Sequence, residues 1–339
     1  MARYVMHQPK MMEWIMTNDF DAWMVRRYGG PDVLAPVRRS VPALKPDEVL
    51  INIRASAVTR ADGMMRAGEP RFARPMIGFG RPRNPLVGTG LSGTIAAIGE
   101  NVSRFVVGDA VFGEAGLRFG ANATRIVLPQ TAVLVKKPDA ITHEEAAVLS
   151  DGALTSWYFL HTQSGLQPGD SLLVLGGAGS LGSAAIQIAH AMGVRVTATA
   201  SARNHDLMRG LGAAHVIDYT AQPVWDRTRY DVVFDTLGVS TFGEARPALK
   251  PDGRYLSPVL NLGLLGAMLG NRFRGQKAVF AAAGLQDADA LRGVLGRVLD
   301  LMAEGLFAPV MDQTFALSDI VAAHHYVATG HKRGNVVVV

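Results

Sequence analysis

The run "LGGAGSLGSAA", residues 175–185, constrains this chain more than any other stretch. Gly177, Gly179 and Gly182 stand in G-x-G-x-x-G spacing, with the apolar run "SLLVL" entering and "SAAIQIAHAMG" leaving. Glycines so placed let a strand turn sharply into a helix and let backbone amides approach a pyrophosphate, while the helix N-terminus adds partial positive charge. The spacing alone also fits an ordinary connection. The strand before it and the helix after it decide for the first βα turn of a dinucleotide-binding sheet, with Ala184 and Ala185 keeping helix and sheet close.

Apolar strands and helical stretches keep alternating downstream: "VRVTATAS" then "RNHDLMRGLG", "HVIDY", "YDVVFDTLG", "STFGEARPALKPDG" and "RYLSPVL". Strands apolar throughout, in β-then-α order, mean a parallel sheet covered on both faces. Upstream, from about residue 23 to 140, short alternating runs such as "DEVLINIRASAV", "LSGTIAAIGENV" and "ATRIVLP" are broken by Gly, Pro, Asn and Asp, the pattern of an antiparallel β domain. The tail "FAPVMDQTFALSDIVAAHHYVATGHKRGNVVVV" reads strand, helix, strand and is expected to return to that first domain.

In a sheet of this kind an acidic residue about 20 positions past the glycines would bind the ribose hydroxyls of NAD. Here "VRVTATA" ends at Ala200 and continues into Ser201, Ala202, Arg203 and Asn204. A hydroxyl and a guanidinium, with no carboxylate to repel a 2′-phosphate, favour NADP(H) over NAD(H).

Composition narrows the rest. The 339 residues suit two domains, and 48% hydrophobic against 19% charged residues describes a compact protein. With no cysteine, disulfides, thiolate nucleophiles and cysteine-ligated zinc are excluded. The start lacks an uninterrupted apolar signal core, and the apolar stretch at 260–270 falls well short of the ~20 residues that span a bilayer. A cytoplasmic protein with no membrane partner is the expectation. The net charge of +5 is concentrated in "RAGEPRFARPMIGFGRPRNP" and "NRFRGQK", which read as loops: solvated surface first, an anion-attracting mouth second, and not a nucleic-acid-binding face.

Together, "LGGAGSLGSAAIQIAHAMGVRVTATAS", "LGAAHVIDY", "YDVVFDTLG", "GENVSRFVVGDAVFG" and "AHHYVATGHKRGNVVV" resemble the medium-chain dehydrogenase/reductase superfamily, and within it the zinc-independent quinone oxidoreductase group. The resemblance implies an α/β chain with a GroES-like β-barrel domain at 19–145 and 286–339, a doubly wound Rossmann NADP-binding domain at 146–285, and an N-terminal extension at 1–18. It also implies a homodimer paired along the sheet edge near "KAVFAAAG" (277–284). Zinc-dependent members carry Cys, His-Glu and Cys where Thr59, Thr89 with Gly90, and Asp151 stand; one carboxylate and two hydroxyls make a poor zinc site. The four-cysteine structural zinc lobe is missing as well. No metal is expected.

By position, the amides of Ser180 and Leu181 are expected at the pyrophosphate, with Ser201, Arg203 and Tyr219 near the 2′-phosphate. The resemblance adds Asn335 from the C-terminal strand, Thr155 on the nicotinamide side and Gly238 where the chain skirts the cofactor. Thr59, Asp62 and Met64 fall in the segment that lines the substrate cleft. Relatives usually show Asn at Thr59 and often Tyr at Met64, so the tyrosine proton donor of the group is absent, leaving water or Thr59 as a relay. Catalytic roles are assigned to Thr59, Asp62 and Thr155.

Without a Lewis acid, hydride addition to a quinone or to the C=C bond of an α,β-unsaturated carbonyl is easier than alcohol oxidation, because the conjugated system spreads the charge. The implied activity is an NADPH-dependent reductase of such a small electrophile. Two alternatives stand beside it: reduction of an enoyl thioester drawn by Arg71, Arg74, Arg81, Arg83, Arg272 and Arg274, and a nucleotide-binding scaffold or sensor with vestigial activity. His324 and His325, adjacent on a helix, face apart and read as surface or packing residues. "HEE" at 143–145 reads as a helix start after Thr142. "VLNLGLLGAMLG" is either an apolar lid over the mouth or a packed helix, and the fourteen methionines read as core filling.

Overall fold

The computed structural model describes residues 19–225, 229–273 and 275–339. The expected extension at 1–18 and Arg274 lie outside the described residues, as does the side chain of Arg272.

Fifteen strands are described: β1 (Asp19–Val25), β2 (Leu34–Ser40), β3 (Glu48–Val58), β4 (Gly90–Ile98), β5 (Ala110–Glu114), β6 (Arg125–Pro129), β7 (Val133–Lys136), β8 (Ser171–Leu175), β9 (Arg195–Ala200), β10 (His215–Asp218), β11 (Tyr230–Asp235), β12 (Leu249–Ser257), β13 (Lys277–Phe280), β14 (Met311–Phe315) and β15 (Asn335–Val338). The helices that shape the site are α1 (Arg60–Ala67), α2 (143–163, with π-helical turns at Leu149–Ala153 and Tyr158–Gln163), α3 (Ser180–Ala191), α4 (His205–Gly210), α5 (Leu262–Leu269), α6 (Ala288–Ala303) and α7 (Ile320–Ala328).

The second half forms a parallel six-stranded sheet in the order β10-β9-β8-β11-β12-β13. Starting at β8, this is the doubly wound order, and the topological switch lies between β8 and β11. Burial on both faces explains the unbroken apolar text of β8. Leu172 and Val174 join a core with α2, α3 and α6, whereas Leu173 and Leu175 join Phe242, Tyr255 and Leu264 on the other face.

The first half builds a seven-stranded sheet, β14-β15-β3-β4-β5-β7 with β6 on β3, and the C-terminal strand β15 pairs antiparallel with β3. The tail thus completes the GroES-like domain. Phe112 and Val133 of this sheet lie in the same buried cluster as α2 and α6, so one core runs across the junction. Thr142 caps α2, accepting from the Glu145 amide while Glu145 accepts from the Thr142 amide. Among the described residues no helix is long and apolar enough to cross a membrane.

Candidate functional site

A cavity of about 920 Å³ lies between the two halves, at the C-terminal ends of β8, β9 and β11. Its floor is the glycine turn, and each glycine there does a different thing. Gly176 takes the left-handed φ of +77°. A side chain on Gly177 would strike Ala198 and Met208, and its amide is spent on the Thr199 carbonyl. A Cβ on Gly182 would come within 2.2 Å of the Gly176 carbonyl. Gly179 has room for one and is the N-cap of α3, which no side chain caps. The first-turn amides of Ser180 and Leu181 therefore lack intrahelical partners, and both residues line the cavity. Gly177 and Gly182 thus keep neighbouring elements in contact.

At the end of β9, Ser201, Arg203 and Asn204 line one end of the cavity, with Tyr219, 54% exposed, beside them. The exposed Arg203 spans the halves, donating from Nη2 to the His331 carbonyl at 3.1 Å. Beyond β11, Asp235 accepts from the amides of Leu237, Val239 and Ser240 and from the Tyr255 hydroxyl, folding that loop. Gly238 has a φ of +63° and faces Val259; Leu237 and Val239, not Gly238, line the cavity. Glu244 also lines it, held ionised by the Thr241 amide and hydroxyl, which lower its pKa.

The opposite wall is made by α1, α2 and α7. Thr59 caps α1 in a closed box: its amide and hydroxyl both donate to Asp62 Oδ2 at 2.8 Å, and the Asp62 amide donates back to Thr59 Oγ1 at 3.0 Å. Both side chains are buried behind the wall, where Arg60, Ala61, Gly63 and Met64 stand instead. Burial pushes Asp62 up to about 6 despite its hydrogen bonds to Thr59. Thr155 and Asp151, one turn apart on α2, do line the cavity. Asn335 reaches the floor through Ser180, its Oδ1 accepting from the hydroxyl at 2.7 Å.

Two residues of this wall, Arg60 and Arg66, had no individual signal in the sequence. Arg60 crosses the cleft, Nη1 donating to the Leu237 carbonyl at 2.6 Å. Arg66 donates to Nδ1 of His324 at 2.6 Å. His324 is 1% exposed and lines the cavity, with Nε2 unpartnered among the described residues. Burial, aided by the Arg66 charge, pushes it down to about 3. Because the guanidinium can only donate, His324 is neutral with its proton on Nε2. His325 faces the other way, to Asp32.

The positions that carry zinc ligands in zinc-dependent relatives do not fit the metal. The Thr59 hydroxyl is committed to Asp62, Gly90 has no side chain, and the Asp151 carboxyl meets Ser180. Among the described residues no group of three or more His, Cys, Asp or Glu is placed to hold a metal ion. A dinucleotide fits better, with an uncapped helix start, a hydroxyl and a guanidinium along one cavity.

The chain matches the alcohol dehydrogenase GroES-like domain over residues 45–139 and the zinc-binding dehydrogenase family over residues 211–338. It is 31% identical to the mitochondrial NAD(P)H oxidoreductase RTN4IP1 of Mus musculus, over 94% of this chain and 88% of that protein. It is also 31% identical to the chloroplastic NADPH-dependent alkenal/one oxidoreductase of Arabidopsis thaliana, over 95% and 80%. The quinone oxidoreductase structure from Coxiella burnetii superposes with a TM-score of 0.84 at 27% identity, covering 94% of this chain and 99% of that one. With the doubly wound sheet and the GroES-like barrel, the chain belongs to the medium-chain dehydrogenase/reductase superfamily, in its zinc-independent quinone oxidoreductase-like group.

Proposed function

We propose that the protein is an NADPH-dependent reductase of a quinone or of the C=C bond of an α,β-unsaturated carbonyl. The observation that carries this is one continuous cavity running from Ser201 and Arg203, past the uncapped start of α3, to Thr155 beside the apolar side chains of Met64, Leu237 and Val259. Bound NADPH supplies a hydride. The chain supplies binding and orientation. The Ser180 and Leu181 amides hold the pyrophosphate, and Ser201, Arg203 and Tyr219 surround the 2′-phosphate. Thr155 borders the nicotinamide end, and Asn335 fixes the Ser180 hydroxyl. Gly177, Gly179, Gly182 and Gly238 set the backbone path. Thr59 and Asp62 act on catalysis through α1, whose outer residues meet the ligand.

An enoyl thioester fits less well. Arg81 and Arg83 line a separate cavity with Arg26, and Arg74 is spent on the Gly68 and Ala67 carbonyls. The test is NADPH consumption with a panel of quinones, enones, aldehydes and enoyl thioesters. Turnover of quinones or enones is expected. Fluorescence-detected NADPH binding with no turnover would leave a nucleotide-binding scaffold, and a thioester preference with a steeply salt-dependent KM would move the reading to that class.

The same proposal includes the domain limits 19–145 with 286–339 and 146–285, a cytoplasmic setting, and a homodimer through β13. That strand ends the six-stranded sheet, and its outer edge is unpaired among the described residues. Light scattering that finds only monomer at micromolar concentration would remove the dimer. Microscopy of the tagged chain tests the setting.

A further inference from the structure

Asp151 lies in a π-helical turn of α2 with its carboxyl Oδ2 2.8 Å from the Ser180 hydroxyl, and that hydroxyl is 2.7 Å from Asn335 Oδ1. A hydroxyl has one proton to give. The Asn335 amide is fixed from its other end, because its Nδ2 donates at 2.9 Å to the Val310 carbonyl, which can only accept. Oδ1 therefore meets Ser180 as an acceptor, and the Ser180 proton belongs to Asn335. The contact between Ser180 and Asp151 is then a hydrogen bond only if Asp151 donates it. We propose that Asp151 is held as a carboxylic acid in the resting protein and is the group that protonates the reduced acceptor in the cavity. The second half of that statement rests on the reductase reading; the first does not.

The surroundings agree. Burial raises the Asp151 pKa, against the opposing pull of Lys332 and Ser180. Asp62 on α1 and Glu114 on β5, raised chiefly by burial to about 6 and about 7, are near enough that charge on Asp151 contributes to both shifts. Like charges crowded in a poorly hydrated space favour a neutral member. Asp151 lines the cavity, and its Oδ1 makes no hydrogen bond among the described residues.

Hydride uptake from NADPH at the β-carbon of an enone moves the C=C electron pair into an enolate. Rotation of the Asp151 carboxyl about Cβ–Cγ then turns its O–H from Ser180 to the cavity. That O–H bond breaks as a C–H bond forms at the α-carbon, giving the saturated carbonyl, NADP⁺ and the Asp151 carboxylate. The Ser180 hydroxyl, within reach of both partners, swings from Asn335 to the new carboxylate, and solvent returns the proton. A reduced quinone takes its protons on oxygen, where solvent is an adequate source, so it depends less on this donor.

Infrared difference spectra of the ligand-free protein at neutral pH test the acid directly. The wild type is expected to show a protonated-carboxyl band that Asp151→Asn lacks and that shifts in Ser180→Ala, separate from the band of the partly protonated Glu114, which only Glu114→Gln removes. Asp151→Asn keeps a donor toward Ser180, so NADPH affinity should stay near wild type while enone turnover falls about 100-fold or more and quinone turnover by less than about tenfold. Absence of the band, or enone turnover at the wild-type rate in Asp151→Asn, would overturn the proposal. A wild type that reduces neither acceptor removes the reductase reading and the donor role together, and the infrared band still decides whether Asp151 is an acid.

Discussion

The two walls of the cavity are built on opposite principles. The Rossmann wall is mostly backbone: a left-handed Gly176, a Gly182 pressed on the Gly176 carbonyl, and first-turn amides of α3, all within a dozen residues. The opposite wall, formed by α1, α2 and α7, is mostly side chains from distant segments: Arg60 on the Leu237 carbonyl, Arg66 on His324, and Asp151 meeting Ser180 and through it Asn335. Recognition by amides needs side chains to be absent, and absence is written as a dense glycine motif. Recognition by side-chain pairs needs only that two residues meet in space, which leaves no local pattern.

The largest effect should come from the backbone wall. In Gly182→Val the new Cβ would sit 2.2 Å from the Gly176 carbonyl, so the turn must open. A loss of about 1–3 kcal/mol in stability is expected, together with roughly ten- to a hundredfold weaker NADPH binding. Gly179→Ala, with only the Gly176 carbonyl 3.5 Å from its Cβ, should unfold near the wild-type temperature. Thermal unfolding of the pair decides. Equal losses in the two variants would mean that the turn is not limited by these contacts.

Arg203→Ala should cost less. Its guanidinium is exposed and already spends one nitrogen on His331, so a contact to a 2′-phosphate is screened and about a tenfold rise in the NADPH Kd is expected, with the NADH Kd unmoved. Fluorescence titration with both nucleotides reads the ratio. Parallel losses for the two would remove Arg203 from the 2′-phosphate.

What could be read in the sequence follows the same division. The helix-covered parallel sheet of the second half and the return of the tail to the first domain were legible, since strand-helix alternation and turn residues are local signals, whereas the pairing of β15 with β3 was not. The glycine motif was legible, but the residue with the left-handed φ, Gly176, was not distinguished from its neighbours. Thr59 and Asp62 were read as cleft residues. Their spacing is equally that of a capping box, the signal that correctly placed Thr142 at the start of α2, and the structure uses it so. Asp151 stood out only as a missing zinc ligand, because its protonation depends on an amide oxygen in the last strand.

The smallest effect tests the side-chain wall through His324. Its pKa falls from the usual histidine range to about 3 on folding, so the unfolded chain takes up a proton below about pH 6.5 that the folded protein refuses. Its neutral form therefore stabilises the fold above that range and loses this advantage as pH falls; from pH 6.5 to 5.5 the loss is about 1 kcal/mol. Glu114 and Asp62 work in the reverse sense. Their folded pKa values, about 7 and about 6, lie above the unfolded ones, so they gain stability over the same descent and flatten the wild-type profile. In His324→Gln the side-chain oxygen can still accept from Arg66, but the titrating group is gone. Chemical denaturation across that interval should find the variant gaining about 1 kcal/mol on the wild type as pH falls. A difference between the two that does not change with pH would mean that His324 takes up its proton in the fold as readily as in the unfolded chain, and that Arg66 and His324 are not the fixed donor and acceptor their 2.6 Å contact describes.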